Sequence, residues 1–300
     1  MKYMFILAAL CAVISGCNHY AVPSSTPVVN AQIQNQNGAT ILAGHCSLSI
    51  LQTSPYRDWF DKQYSSYTVD TGTMHLMHNR LEGKTIEVFL GSWCGDSKRE
   101  VPRLIKILQA ASFDTANLRL IFVDNSTNLY KQSPQHEEVG KVIHHVPTII
   151  VYNHDNEMGR IIESPRVSLE KDLLAIVLHK PYDANYKDVA WWVSNVNDRD
   201  KPLTSARLAN IAVAIKPICN RMYDFNTYGY VLLAQKNYAE AINVFKLNTI
   251  MFPAMPGTYD SLGEAYMAAG ENDKAKENYN KVLALKPGDE NATKMLAQLK

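Results

Sequence analysis

The chain lacks charge at its start and has no strong charge overall. No Asp, Glu, Lys or Arg lies between Lys2 and Arg57, and the whole chain has a formal net charge of +1 without a basic stripe. A nucleic-acid-binding protein needs a clustered positive surface, so we predict no nucleic-acid partner. The sequence also has no glycine-rich phosphate loop, no Ser-His-Asp set in a recognisable context and no paired-carboxylate site. We therefore predict no cofactor.

The sequence also lacks an apolar run long enough to cross a membrane as a helix, which needs ~20 residues. Residues 4–14 are apolar and follow Lys2, which is typical of a secretory signal peptide. Ile14-Ser15-Gly16-Cys17 resembles a bacterial lipobox. That resemblance implies removal of residues 1–16 and lipid attachment at Cys17, giving a protein of the bacterial cell envelope that is anchored to the membrane without spanning it.

Two further expectations concern this end of the chain. An ordinary signal peptide, with Cys17 left free, is the alternative to the lipid anchor. No charged run follows Cys17 to direct surface export, so we predict that the protein faces the periplasm. Residues 18–44 are rich in Asn, Gln, Ser, Thr and Pro and have few large apolar side chains, so we predict a flexible tether over residues 17–53.

Cysteines are too few for a disulfide scaffold. The chain has five, of which Cys11 leaves with the signal peptide and Cys17 is assigned to the lipid. Cys46, Cys94 and Cys219 remain, and three thiols cannot all pair within one monomer. Exported proteins meet an oxidising compartment in which disulfides persist. A free or reactive thiol is therefore compatible with the composition.

Residues 54–180 alternate between strand-like and helix-like segments. Apolar runs at 85–90 and 118–123 predict buried strands, and the polar turn "NHDNE" between residues 148–152 and 158–162 predicts a hairpin. Helical spacing over 96–111, a short helix over 136–144 and a helix capped by Ser168 complete the pattern. This alternation favours an α/β fold with helices packed on a mixed sheet. His75 and His78 are three residues apart but have no third ligand nearby, so no metal site is predicted.

From residue 187 the pattern is helical, and it repeats. Gly229 aligns with Gly263 and Phe245 with Tyr279, each pair 34 residues apart. Small residues would let paired helices approach closely while the aromatic rings fill the space between them. The spacing resembles the tetratricopeptide repeat. We assign residues 222–300 to such an all-α domain and residues 181–221 to a helical linker or a degenerate repeat. The concave surface of such repeats suits protein or peptide partners.

The segment "GSWCGDSKREVP", residues 91–102, contains the candidate reactive thiol. Trp93 and Cys94 follow the strand at 85–90, Pro102 lies eight residues after Cys94, and Val146-Pro147 precedes another strand. These features in this order resemble the thioredoxin superfamily, and the surrounding segments resemble a Bacteroidetes-type lipoprotein group within it.

The resemblance implies a nucleophilic Cys94 at the start of a helix, whose dipole favours the thiolate. It also implies a cis-proline loop beside the sulfur. The implied substrate groove is formed by Trp93, Val146, Pro147 and Thr148.

The motif departs from the superfamily in three ways. Ser97 occupies the position of the second cysteine, where we expect its hydroxyl to hydrogen-bond to the Cys94 thiolate. Val88 stands where thioredoxins keep a buried acid, and the charge of Asp96 opposes formation of the thiolate. A mixed disulfide at Cys94 would need another resolving thiol, for which Cys46 is the first candidate in the chain and Cys219 the second.

Two functions remain open from the sequence, so enzymatic activity is itself undecided. In the first, Cys94 is a single-thiol site for disulfide reduction or isomerisation on exported proteins, and an external thiol or Cys46 completes the reaction. Removal of glutathione or oxidised caps from cysteines is a variant of this chemistry. In the second, the thioredoxin-like fold is a redox-inactive scaffold, and the groove and the helical repeats bind protein segments.

Overall fold

A computed structural model describes Pro27 and residues 29–299 of the chain. The predicted signal peptide and the lipidation site Cys17 lie outside the described residues and stay predictions. Within the described part, no helix is long and apolar enough to cross a membrane.

The first half of the chain is built on one mixed sheet. Its six strands are β1 (Ala31–Gln34), β2 (Thr40–Cys46), β3 (Lys84–Leu90), β4 (Leu118–Phe122), β5 (Thr148–Asn153) and β6 (Asn156–Ile162). They lie in the order β1-β2-β4-β3-β5-β6. β3 and β4 are parallel, and every other neighbouring pair is antiparallel. The predicted α/β class and the predicted β5–β6 hairpin are thereby confirmed.

The tether predicted over residues 17–53 is wrong for residues 31–53. β1 and β2 form a hairpin, and β2 joins the sheet by pairing with β4. Ile41, Leu42 and Leu51 are buried in the core. The contacts that order this segment come from β4, which lies far along the chain, so the polar composition of the segment itself did not indicate them.

Four helices accompany the sheet: α1 (Arg57–Ser66), α2 (Thr71–Met77), α3 (Gly95–Ala110) and α4 (Leu169–Val177). The predicted apolar face of α3 is buried, and Ser168 caps α4 by accepting a hydrogen bond from the Lys171 amide. Residues 136–144 form turns instead of the predicted helix. The helices cover one face of the sheet, and a smaller apolar cluster around Phe89, Ile121 and Ile150 covers the other face.

The second half is helical. Its helices are α5 (Lys187–Asn195), α6 (Ser205–Ile215), α7 (Met222–Ala234), α8 (Tyr238–Met251), α9 (Pro256–Ala268), α10 (Asn272–Leu285) and α11 (Glu290–Gln298). A Cβ added to Gly229 would lie 2.5 Å from the Phe245 ring, and one added to Gly263 would lie 2.9 Å from the Tyr279 ring. The close approach inferred from the repeat is thus present in both helix pairs.

Candidate functional site

Cys94 lies where β3 passes into α3. The turn Gly91-Ser92-Trp93 follows β3, the Cys94 amide donates to the Gly91 carbonyl (3.0 Å), and Cys94 is the N-cap residue of α3. Its side chain is half-buried and its thiol is unpaired. The Cys94 thiol donates a hydrogen bond to the Val146 carbonyl at 3.2 Å. The sulfur therefore sits at a helix N-terminus and against a loop from another part of the chain.

The loop that faces Cys94 contains the predicted cis proline. The Val146–Pro147 peptide bond is cis in the structure, and β5 begins at the next residue, Thr148. Val146, Pro147 and Thr148 are all buried. The Thr148 hydroxyl donates to the His145 carbonyl at 2.7 Å, so this side chain braces the loop. Of the loop residues assigned to the groove, Val146 is thus brought into contact with Cys94 through its carbonyl, and Pro147 and Thr148 follow it along the chain.

Trp93 is held over the turn by two contacts. Its indole N–H donates to the Val123 carbonyl at 2.9 Å, and its ring covers Gly91 so closely that a Cβ there would lie 2.5 Å from a ring carbon. Only glycine fits at residue 91 with the ring in this position. The Leu42 amide of β2 donates to the Ser92 hydroxyl at 3.0 Å, so the segment first taken for a tether supports the turn.

Ser97 does not take the role expected from the sequence. Its hydroxyl oxygen is buried and accepts a hydrogen bond from the Gly91 amide at 3.2 Å. Within residues 29–299 it forms no hydrogen bond with Cys94. The predicted bond is therefore wrong for this structure, and Ser97 stabilises the turn instead. Asp96, expected to oppose the thiolate, is paired with Arg99 at 2.7 Å.

Neither of the other thiols is placed to resolve a disulfide at Cys94. Cys46 lies in β2, in the core on the helix-covered face, while Cys94 packs on the cluster of the opposite face. Burial raises the pKa of the Cys46 thiol to about 12. Cys219 is buried among the helices of the second half, where burial raises its pKa further. Both thiols are unpaired, and the flexible approach of Cys46 that the sequence suggested is excluded by its place in β2.

Lys131 belongs to the site, although nothing in its local sequence indicates this. It lies in a loop closed by two backbone hydrogen bonds of 2.9 Å, from the Lys131 amide to the Asp124 carbonyl and from the Asp124 amide to the Gln132 carbonyl. Its Nζ lies 5.1 Å from the centre of the Trp93 ring and 4.4 Å from that of Tyr130. Only 4% of the residue is exposed, and this burial lowers the pKa of its ammonium group to about 8.

His144 and His145 lie in the contact between the two halves. The His145 ring stacks on Tyr186 with centres 3.9 Å apart, and its Nδ1 is 3.4 Å from the Glu163 carboxylate. The Tyr186 hydroxyl donates to the same carboxylate. Burial lowers the pKa of both imidazoles, that of His144 to about 3. Hydrogen bonds from His145 and Tyr186 lower the pKa of Glu163, which is the anion of this group.

Among the described residues, no group of three or more His, Cys, Asp or Glu side chains is arranged to hold a metal ion. A comparison with curated proteins found no match for the chain. A family model described as tetratricopeptide repeat matches residues 232–299, the segment that holds α8 to α11. The C-terminal helices therefore contain tetratricopeptide repeats, a type of module whose stacked helices form binding surfaces for other proteins.

Proposed function

We propose that this chain is a thioredoxin-like protein of the cell envelope that uses Cys94 as a single nucleophilic thiol in disulfide exchange with exported proteins. The observation that carries the proposal is the contact between the Cys94 sulfur and the Val146 carbonyl, next to the cis bond of Pro147, at the N-terminus of α3. A half-buried thiol in that position is supported as an anion by the free amides of the first helical turn.

Isomerisation at a single thiol requires two exchanges, and reduction requires three. The Cys94 thiolate attacks one sulfur of a substrate disulfide, so that a bond to Cys94 forms while the substrate S–S bond breaks and its other sulfur leaves as a thiolate. Ser97 has no sulfur to attack the resulting mixed disulfide. A second thiolate must do so. If a thiolate of the substrate attacks the substrate sulfur, Cys94 leaves and the substrate disulfide is isomerised. If an external thiolate attacks the Cys94 sulfur, the substrate leaves with both sulfurs reduced, and a second external thiolate then releases Cys94 as the two external sulfurs form a disulfide.

Other parts of the chain would bind the substrate protein and hold the thiol site at the membrane. The tetratricopeptide repeats at 232–299 offer a surface for protein segments, which would hold a substrate protein near the thiol. Lipid at Cys17 would keep the protein at the membrane, facing the periplasm, where exported proteins form their disulfides.

A redox-inactive scaffold is the second candidate. The Ser97 hydroxyl accepts from the Gly91 amide and not from Cys94, and both other thiols are buried away from Cys94. These two observations favour a protein that binds other proteins without thiol–disulfide exchange. In that case the loop at Val146-Pro147 and the helical repeats would bind segments of envelope proteins without covalent exchange.

A trapping experiment separates the two candidates. The full chain is mixed with an unstructured peptide that carries one internal disulfide, quenched in acid and analysed by mass spectrometry. We expect peptide attached to Cys94 in the wild type and in the controls Cys46→Ala and Cys219→Ala, and none in Cys94→Ser. Equal noncovalent binding of the peptide by wild type and Cys94→Ser, with no covalent adduct in either, would instead support the scaffold.

A further inference from the structure

Lys131 is a charged residue in the interior of the protein, and within the part of the chain that the structure describes its ammonium group has no carboxylate in contact with it. Lysine is almost never fully buried unless its ammonium group is paired. Only 4% of Lys131 is exposed, and among residues 29–299 no carboxylate forms an ion pair with its ammonium group. Its close neighbours are the faces of Trp93 and Tyr130, which attract a cation weakly compared with a full negative charge. The ammonium group therefore has no carboxylate in direct contact with it among these residues.

Among the groups around Lys131, the Cys94 sulfur is the one best suited to be the counterion of its ammonium group. The Lys131 Nζ lies 5.1 Å from the centre of the ring of Trp93, the residue before Cys94, and its charge acts on Cys94 and on Glu163. Glu163 already accepts from Tyr186, contacts His145 and interacts with the positive charge of Arg221. Burial keeps the His144 and His145 imidazoles neutral. Tyr130 is half-buried, and its hydroxyl resists ionisation because desolvation raises its pKa. Cys94 is the group near Lys131 that can become an anion without already having a partner of opposite charge.

We propose that Lys131 is a positioning residue that stabilises the thiolate form of Cys94. An ammonium group near a thiol favours loss of the thiol proton to solvent, and the low polarity of a buried site strengthens the attraction. The closed loop of residues 124–132 and the stacking on Trp93 keep the ammonium group in place. Lys131 would thus supply the activation that neither Ser97 nor a second cysteine provides. The inference deepens the proposed function and rests on it for its biological purpose.

The charge on Lys131 sets a pH limit on this effect. With a pKa of about 8, the ammonium group is charged at pH 7 and neutral well above pH 8. The titratable groups that face it are Cys94 before α3, Tyr130 on its own loop, His144 and His145 before β5, and Glu163 after β6. Of these, the histidines remain neutral and Glu163 remains charged between pH 7 and 9.5, so the change in positive charge over this interval belongs to Lys131.

Alkylation of Cys94 in the full chain, followed by mass spectrometry, tests the inference. The reagents are neutral iodoacetamide and anionic iodoacetate, and the variants are Lys131→Met, Lys131→Arg and the control Lys98→Met. At pH 7 we expect Lys131→Met to slow iodoacetamide about tenfold and iodoacetate by more, because the thiolate and the anionic reagent both lose an attracting charge. Lys131→Arg keeps the charge and should retain most of the rate, and Lys98→Met should react as the wild type does.

Three results would overturn the inference. These are an unchanged rate in Lys131→Met, an equal loss in Lys131→Arg, or an equal loss in Lys98→Met. Should Lys131→Met fail to fold, the wild type alone decides, since its ratio of iodoacetate to iodoacetamide rates must fall between pH 7 and 9.5. Failure of the proposed function gives a different pattern, in which the peptide disulfide is never trapped although the alkylation rates follow the expectation.

Discussion

The burial of Lys131 has consequences for stability as well as for reactivity. Burial lowers the pKa of this lysine from 10.5 to about 8, so between these values the unfolded chain holds more protons than the folded protein. The free energy of unfolding then rises with pH across this interval, and the full penalty of the buried charge applies below about pH 8. A residue that weakens the fold in this way at neutral pH needs a compensating role, which the activation of Cys94 would supply.

Lys131→Met removes the buried charge but keeps an unbranched side chain against Trp93. At pH 7 we expect a gain in the free energy of unfolding of up to ~3 kcal/mol, because each unit of pKa shift corresponds to about 1.4 kcal/mol. The gain should shrink as the pH rises toward 10.5, where the wild-type lysine is neutral in both states. Urea unfolding at pH 7 and pH 9.5, read as the difference between variant and wild type, measures it.

The control for this measurement is Lys98→Met, which changes the same charge on a partly exposed residue in the first turn of α3. It should leave the free energy of unfolding nearly unchanged at both pH values. A Lys131→Met variant less stable than the wild type at pH 7 would mean that the contacts with Trp93 and Tyr130 outweigh the loss of hydration, contrary to the argument above.

At the scale of elements, the helix pairs of the second half depend on the absence of a side chain at one position. A Cβ on Gly229 of α7 would lie 2.5, 2.6 and 2.9 Å from three carbons of the Phe245 ring in α8. Phe245 is fully buried, so its ring has no free space to move into. The two helices are therefore packed at the closest distance that this ring allows.

We expect Gly229→Ala to lower the free energy of unfolding by about 1–3 kcal/mol, the usual effect of overpacking a core. The gain of ~1 kcal/mol in helix propensity on replacing Gly by Ala does not offset a clash with a ring. The control Gly257→Ala in α9 meets only the end of the flexible Met222 side chain, at 3.2 Å. Urea unfolding of both variants checks the prediction, and equal effects at the two positions would refute the packing argument.

The elements that sequence alone predicted are those with local signals. α3 has its own apolar periodicity, the β5–β6 hairpin has a polar turn, and the 34-residue spacing of Gly229 and Gly263 marks the repeat. The sequence did not predict β2, because its burial depends on pairing with β4. No pattern within residues 40–46 indicates that pairing. The burial of His144 and His145 has no local signal either, because the helices that bury them come later in the chain.

The sequence likewise predicted only part of the candidate site. Cys94, Trp93 and Pro147 follow from a motif and its spacing, whereas the contact of Cys94 with Val146 required the fold. Lys131 stands next to a tyrosine in a short loop, where a lysine is ordinarily solvent-exposed. Its inward position depends on the left-handed backbone at this residue (φ 57°) and on the two bonds that close the loop. Neither can be deduced from composition.

At the scale of the whole molecule, the two halves meet directly behind the loop that faces Cys94. His145 stacks on Tyr186, the His144 ring meets the Tyr228 ring edge-on at 6.0 Å, and Val142 packs on the helical core. These residues lie within five positions of Val146, whose carbonyl accepts the Cys94 hydrogen bond. A change in the position of the helical half would therefore be transmitted to Cys94 through residues 142–146.

Tyr186→Ala tests whether the halves support each other. The substitution removes the stack on His145 and the hydrogen bond to Glu163, and truncating a buried aromatic side chain commonly lowers the free energy of unfolding by about 3–5 kcal/mol. We expect faster amide hydrogen exchange across residues 141–147, measured by mass spectrometry, because the loop loses its packing partner. The control Tyr223→Ala removes a tyrosine that is 63% exposed on α7 and should leave exchange in this loop unchanged. If exchange across residues 141–147 were the same in Tyr186→Ala and the wild type, the loop would be ordered by the sheet half alone, and partner binding on the repeats would have no route to Cys94 through this contact.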